Sequence, residues 1–306
     1  MAGGNRGGGL APDPPRTAPS IAGSALQGKL EAEAYAGLRD LILRAGGIDL
    51  DLYKEKCVLR RITVRQRACG ASSLRAYLKL VIGDLAERSR LVKALTIHVS
   101  QFFRNPSTFR AIQEDILPAI LAKKQRGGGR ALRLWSVGCA YGEEPYSLAI
   151  LLLETRAQAL QEYSSAIYAT DIDPTSLQHA KEARYPAASL THLPTRWYQR
   201  YFLQDGDRSL VVPEVRRLVF FKQHNILDPL PFGRIDLLVC RNVLIYMTEA
   251  LQERVLLALH EALTPGGFLV LGKVEGLAGA ARDCFEPMDV AERIYRKPEL
   301  RSTRAA

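Results

Sequence analysis

The sequence is poor in cysteine, methionine and tryptophan, with five, three and two of each in 306 residues. The cysteines, Cys57, Cys69, Cys139, Cys240 and Cys284, lie far apart and form no CxxC pair. Their odd number and wide spacing argue against a disulfide framework and against a zinc ribbon, and they suit a reducing cytoplasm. The five histidines show no HExxH spacing, so no metal site is expected. Long apolar runs are missing too. The longest strongly apolar stretch, around Leu148–Leu153, is far too short to span a bilayer, and the N-terminus has no apolar stretch of signal-peptide type. A cytoplasmic, monomeric protein without membrane insertion is the expectation.

What is present suits a soluble globular chain with a sizeable core: 47% hydrophobic and 24% charged residues. The length suggests two domains. The formal charge of +10 points to an acidic partner, a nucleic acid, an anionic lipid or an acidic protein surface, without choosing among them.

Residues 1–27 are rich in Gly, Pro, Ala and Arg and lack a hydrophobic period, which predicts a disordered tail. From Leu30 to about Leu95 the pattern is helical. Leu38, Leu41 and Ile42 recur at helical spacing until Gly46-Gly47, a second helix carries Cys57, Leu59 and Ile62, and Ser72 or Ser73 caps a third. Between Tyr53 and Lys93 there are eleven basic residues against three acidic ones, an excess of eight. That concentration predicts a docking surface for something acidic, with Lys56, Arg60, Arg61, Arg65 and Arg67 as its candidates. This domain and its linker span 28–103.

Beyond Gly127-Gly128-Gly129 strands alternate with helices: strands at Leu132–Val137, Ile167–Thr170, Ile235–Cys240 and Phe268–Gly272, helices at Glu143–Glu154, Pro174–Glu182 and Glu249–Leu263. Pro265-Gly266-Gly267 reads as a turn. Repeated βα units predict an α/β fold with a Rossmann-like, doubly wound parallel sheet over 104–298, followed by a tail at 299–306. Residues 189–222 interrupt the alternation, and Leu210–Val212 with Leu218–Phe221 suggest an inserted β-hairpin subdomain.

Gly138 and Gly142 follow the first strand, where glycine lets the backbone turn tightly against a ligand. The spacing is GxxxG, not the GxGxxG of dinucleotide sites. Asp171 ends the second strand, where a carboxylate accepts hydrogen bonds from ribose hydroxyls; Asp173, before Pro174, reads as a helix cap. Glu143-Glu144 opens the next helix. Acidic side chains there suit the helix dipole, disfavour a phosphate and attract the cationic amino group of a methionine moiety. The cofactor these residues select is S-adenosyl-L-methionine, with S-adenosyl-L-homocysteine as product.

The strings Trp135-Ser136-x-Gly138-Cys139-x-x-Gly142-Glu143-Glu144-Pro145-Tyr146-Ser147, Ala169-Thr170-Asp171-Ile172-Asp173, Cys240-Arg241-Asn242-Val243-Leu244-Ile245-Tyr246 and Phe102-Phe103-Arg104 resemble the signatures of CheR-type chemoreceptor glutamate O-methyltransferases. The resemblance covers about residues 30–298. It implies an N-terminal helical domain, a methyltransferase domain and an inserted β-subdomain. It further implies that His98, Ser100 and Arg104 approach the cofactor from the linker, that Glu144 and Asp171 hold its amino acid and ribose, and that Asn225, Ile226, Cys240 and Arg241 line the adenosine side. The partners it implies are cytoplasmic helical domains of chemoreceptors, with no nucleic acid. His98 stands where Asn is common and Ser100 where Thr is usual. Nothing is carried over to Gly272–Gly276, and the Asp205-Gly206-Asp207 turn is short for the subdomain.

Glutamate, with an unperturbed pKa of about 4.3, is already a nucleophile near neutrality. A carboxylate acceptor therefore needs orientation more than a general base. Arg104 is the candidate to orient the acceptor carboxylate, and Tyr246, just beyond the fourth strand, to position it or the methyl group. The competing functions are an RNA or DNA methyltransferase and a non-catalytic module that senses the cofactor. Cys240-Arg241-Asn242-Val243 stands where base amino-methylation uses [DN]PP[YF]. Cys240 also lacks the preceding proline usual for pyrimidine-carbon chemistry.

Overall fold

The computed structural model describes residues 21–96, 100–155 and 163–299. The helical domain contains α1 (Ile21–Gly46), α2 (Glu55–Ala68), α3 (Leu74–Gly83) and α4 (Leu85–Leu95). Helix α1 begins within the segment expected to be a disordered tail; Ala22, Ala25, Leu26 and Gln27 are good helix formers. Of the two serines, Ser73 caps α3, its Oγ accepting from the Ala76 amide at 3.1 Å. Asp84 caps α4 through the amides of Ala86 and Glu87. Leu38 and Ile42, four apart on one face of α1, bury against Val58, Ile62, Tyr77, Val81 and Leu91.

One polar group sits inside this core. Glu87 is 1% exposed and accepts both nitrogens of a bidentate Arg65 fork (2.9 and 2.5 Å) and the Tyr77 hydroxyl (2.8 Å). Burial pushes the Glu87 carboxyl up, but the hydrogen bonds from Arg65 and Tyr77 outweigh it and bring the pKa down to about 2.

A helical segment follows the linker: α5 (Pro106–Ala111) runs through a π-helical turn (Ile112–Ile116) into α6 (Leu117–Gly127). The main sheet contains seven strands in the order β6-β2-β1-β7-β8-β10-β9. Strands β1 (Ala131–Val137), β2 (Ser164–Asp171), β6 (Val219–Gln223), β7 (Ile235–Cys240) and β8 (Leu263–Leu271) are parallel. Strands β10 (Ile294–Arg296) and β9 (Glu286–Asp289) close one edge antiparallel. Both faces are covered, so β7 is buried at all six residues. Leu237 and Val239 face a core shared with α7 (Glu143–Glu154), whereas Leu238 and Cys240 face one shared with the helix Glu249–Ala262. The helix after β2 is α8 (Pro174–Glu182), and Asp173 caps it through the amides of Thr175 and Ser176.

Two expectations require correction. Val219–Gln223 is not part of a hairpin; it is the parallel edge strand of the main sheet, paired with β2. The inserted subdomain is instead a three-stranded antiparallel sheet, β3 (Arg184–Pro186), β5 (Arg208–Val211) and β4 (Phe202–Asp205), in that spatial order. A short apolar strand has the same pattern in either sheet, and its partner is set by tertiary packing. Pro265-Gly266-Gly267 lies inside β8, where the register against β7 shifts between Ile235 and Leu237, so these residues form an irregularity within a strand.

Candidate functional site

The site lies beyond the carboxyl ends of β1, β2 and β7, where open α/β sheets bind ligands. It has two adjoining compartments, both walled by Gly138 and Asn242. The first is lined by Thr170, Asp171, Asn225, Ile226, Val243 and Tyr246, with Ile48, Cys57 and Arg61 closing it from the helical domain. The second is lined by Ser100, Gln101, Arg104, Cys139, Ala140, Glu144 and Arg241. Gly138 has φ +68°, and a Cβ there would sit 2.5 Å from Val243 Cγ2. A side chain at this position would force the two walls apart.

Asp171 belongs to the first compartment. Its carboxylate already accepts the amides of Ala140 (2.8 Å) and Asp173 (3.0 Å), which orient it and fix the loop after β1. Asn225 and Ile226 line the same compartment. Asn225 also holds its own loop through the Leu227 amide (3.1 Å) and reaches the Gly47 carbonyl (3.4 Å).

Glu144 belongs to the second compartment. Ser136 Oγ donates to its Oε1 (2.8 Å) and Arg241 Nη1 to its Oε2 (3.3 Å). Burial pushes this carboxyl up, while Arg241 and Ser136 pull it down. Arg241 also donates through Nη2 to the Arg104 carbonyl (2.9 Å) and to Asn105 Oδ1 (2.6 Å). One guanidinium thus ties the Glu144 carboxylate to the linker carrying Arg104.

Arg241 lines the compartment of Glu144 and Arg104, whereas the resemblance implies the adenosine side. Its long side chain runs from just beyond β7 towards the Arg104 carbonyl and the Asn105 side-chain oxygen, where Nη2 donates to both, while its buried Nε has no hydrogen-bond partner among the described residues. Cys240 was expected on the adenosine side too, but its side chain is fully buried in the core and lines neither compartment. Alternation along β7 turns it, like Leu238, into the core shared with the helix Glu249–Ala262. Burial holds the Cys240 thiol well above its ordinary pKa, so it is no ready nucleophile. Ser100 and Arg104 line the second compartment as expected. His98 lies outside the described residues.

Tyr246 lines the first compartment from the turn after β7. Burial raises its phenol pKa, opposed by the charges of Arg61 and Arg104. Its segment is stitched to the helical domain: Lys54 N donates to the Tyr246 carbonyl (2.8 Å), Thr248 N to Leu52 O (3.0 Å), and Lys54 Nζ to Ile245 O (3.0 Å).

The expected docking set divides. Lys56, Arg60 and Arg67 are exposed on α2, and Val64, 60% exposed, lies between the last two. Arg65 is instead committed to buried Glu87. Arg61 turns inwards, donating to the Ala94 and Leu95 carbonyls at the end of α4 and lining the first compartment. Helical geometry puts residues one apart about 100° around the axis, so Arg60 and Arg61 cannot share a face.

Backbone strain collects here. Phe103 (φ 54°), Asn105 (62°), Ala140 (48°) and Asn242 (62°) flank Arg104 or share its compartment. Such residues cost about 1–3 kcal/mol each and persist only where the surroundings hold them. Each is held by a side-chain hydrogen bond: Phe103 N to Ser147 Oγ, Asn105 Oδ1 from Arg241, Ala140 N to Asp171, and Asn242 N to Glu275. Glu275 and Ser136 are site residues that sequence reasoning missed. For Glu275 the available signal was a lone carboxylate just beyond an apolar strand, in Gly-Lys-Val-Glu-Gly. Among the described residues no group of three His, Cys, Asp or Glu is placed to hold a metal ion, and no helix is long and apolar enough to cross a membrane.

A mixed sheet with a loop glycine after its first strand and two carboxylates beyond its strand ends has the layout expected of an S-adenosylmethionine-dependent methyltransferase. Residues 98–294 match the CheR methyltransferase SAM-binding domain and residues 33–96 the CheR methyltransferase all-alpha domain. The chain belongs to the CheR methyltransferase family, and S-adenosylmethionine is its cofactor. It is 33% identical over 250 residues to a chemotaxis protein methyltransferase of Listeria monocytogenes, covering 81% of this chain and 91% of that one. It is 33% identical over 257 residues to chemotaxis protein methyltransferase 2 of Pseudomonas aeruginosa, covering 81% and 88%. It also matches an uncharacterized 104.1 kDa protein of Rhodobacter capsulatus at 34% over 264 residues, spanning 86% of this chain but 27% of that protein.

Proposed function

We propose that the protein transfers the methyl group of S-adenosylmethionine to glutamate side chains in the cytoplasmic helical segments of chemoreceptors, forming methyl esters for sensory adaptation. The observation that carries this reading is the placing of Arg104 in the compartment of Glu144, next to the one holding Tyr246. A guanidinium at the acceptor side suits an anionic acceptor, which it can fork and orient. The ionised carboxylate attacks the methyl carbon, the carbon–sulfur bond breaks, and the sulfur keeps its electron pair. No proton moves, so what the protein supplies is approach to within about 3–3.5 Å in line with the departing sulfur. Tyr246 borders that path. The names of the chemotaxis relatives support the pathway, and the exposed basic residues of α2 support an acidic helical partner in the cytoplasm.

The test is incubation with methyl-labelled cofactor and either a receptor cytoplasmic fragment or RNA. We expect label on the receptor fragment that base releases as methanol, the mark of a carboxyl ester. Base-stable label, or label on RNA alone, overturns the reading.

A further inference from the structure

Glu275 is 5% exposed and sits just beyond β8, beside the end of β7. Its Oε2 accepts the amides of Gly272 (2.7 Å) and Asn242 (2.8 Å), and its Oε1 those of Leu244 (2.8 Å) and Ile245 (3.2 Å). Four amides fill the roughly four lone-pair positions of a carboxylate. Glu275 therefore has no acceptor capacity left for cofactor or acceptor, and any part it plays in the reaction passes through the backbone it holds.

That backbone is the segment from Arg241 to Tyr246. It supplies Arg241 and Asn242 to the compartment of Glu144, and Asn242, Val243 and Tyr246 to the other compartment. It is also strained, with Asn242 at φ +62°. Three consecutive-turn amides, on Asn242, Leu244 and Ile245, point at one carboxylate, and charge-assisted bonds of this kind are about twice as strong as neutral ones. The approach is close enough to dictate a second residue: a Cβ at Gly272 would stand 2.5 Å from Glu275 Oε2 and 3.0 Å from Asn242 N.

We propose that Glu275 is a positioning residue for methyl transfer, a buried anionic clamp that holds the Arg241–Tyr246 segment in the conformation presenting Tyr246 and the Asn242–Val243 wall to the cofactor. The negative charge is felt at both ends of the site, since it works to raise the Glu144 carboxyl and the Tyr246 phenol.

Glu275→Gln keeps the shape but turns one acceptor into a donor facing two N–H groups. Gly272→Ala keeps the carboxylate but pushes it off the same amides. For both variants we expect single-turnover methyl transfer at saturating cofactor to fall at least tenfold. Hydrogen exchange at Asn242, Leu244 and Ile245 should accelerate at least tenfold, with exchange in β1 and in the helix Glu249–Ala262 unchanged. Unaltered exchange at the three amides overturns the clamp. Exchange that accelerates throughout the domain, or a loosened segment with wild-type transfer rate, assigns Glu275 to fold stability alone. The exchange arm needs no methyl acceptor, so it tests the clamp even if the glutamate reading fails.

Discussion

Arg61 of α2 stands with its guanidinium carbon 4.6 Å from the centre of the Tyr246 ring. Two domains meet in that contact. The same guanidinium donates to the Leu95 carbonyl at 2.6 Å, so the cation over the ring is held by the end of α4. Stacking of this kind is worth about 0.5–2 kcal/mol and fixes a ring's plane as well as its position.

Removing that cation should move the ionisation of Tyr246. Burial already raises the phenol, and Arg61 lowers it. Loss of the guanidinium in Arg61→Gln should therefore drive the pKa further up. Ultraviolet difference titration against the same variant carrying Tyr246→Phe reads the shift, and a phenol that ionises at the same pH or lower refutes the coupling.

Asp171→Ala should weaken cofactor binding more than it slows the chemical step. The carboxylate orders the Ala140 amide and lines the first compartment. A hydrogen bond to a charged group is worth about 1.5–3 kcal/mol, so affinity should fall at least tenfold. Calorimetry with S-adenosyl-L-homocysteine checks it; unchanged affinity removes Asp171 from the ribose.

Reversal of Arg60 and Arg67 to Glu should lower kcat/KM for a receptor fragment while leaving cofactor affinity in place. Both are exposed on α2, outside the compartments. Exposed charges act mainly on encounter and are screened beyond about 8 Å at physiological salt. The defect should thus shrink as salt rises. Equal rates at low salt would show that the acceptor docks elsewhere.

Glu87 gives the helical domain a pH dependence. Its folded pKa is depressed, from 4.5 to about 2. A depressed carboxylate adds stability above its unfolded pKa and loses it as pH falls through the folded one. Melting temperature should fall between about pH 4.5 and 2 more steeply than in Glu87→Gln. That variant should itself be less stable at neutral pH by roughly 1.5–3 kcal/mol, because the partly exposed Arg65 loses its charged partner. Parallel acid limbs for the two proteins would contradict this account.

Much of the architecture was legible because it rests on local rules. The helices at Glu143–Glu154 and Pro174–Glu182 and the strand Ile235–Cys240 have the bounds their patterns predict. The Asp173 cap follows from side-chain chemistry within three residues. Asp171 and Glu144 were placeable from the strand end and helix start they occupy, Asn225 and Ile226 only from the family resemblance, and all four line the two compartments.

The rest depended on distance in sequence. Leu218–Phe221 looks like half a hairpin until β2 is available beside it, because a short strand does not encode its partner. Arg60 and Arg61 are the same residue type side by side, yet one faces solvent and the other Tyr246, a choice made by the packing of α2 against α4 and the turn after β7. Cys240 ends β7 with its side chain in the core, while Arg241 begins the loop beyond it and reaches Glu144, so one motif enters two different surroundings. Glu275 is farthest from any local rule: it sits 30–33 residues from three of the amides it holds. By itself the sequence determined the elements, the cofactor and the family. Which charges face the ligand, which face solvent and which only hold others in place was decided by tertiary packing, since a charged side chain takes its role from whatever partners the fold brings within about 3 Å.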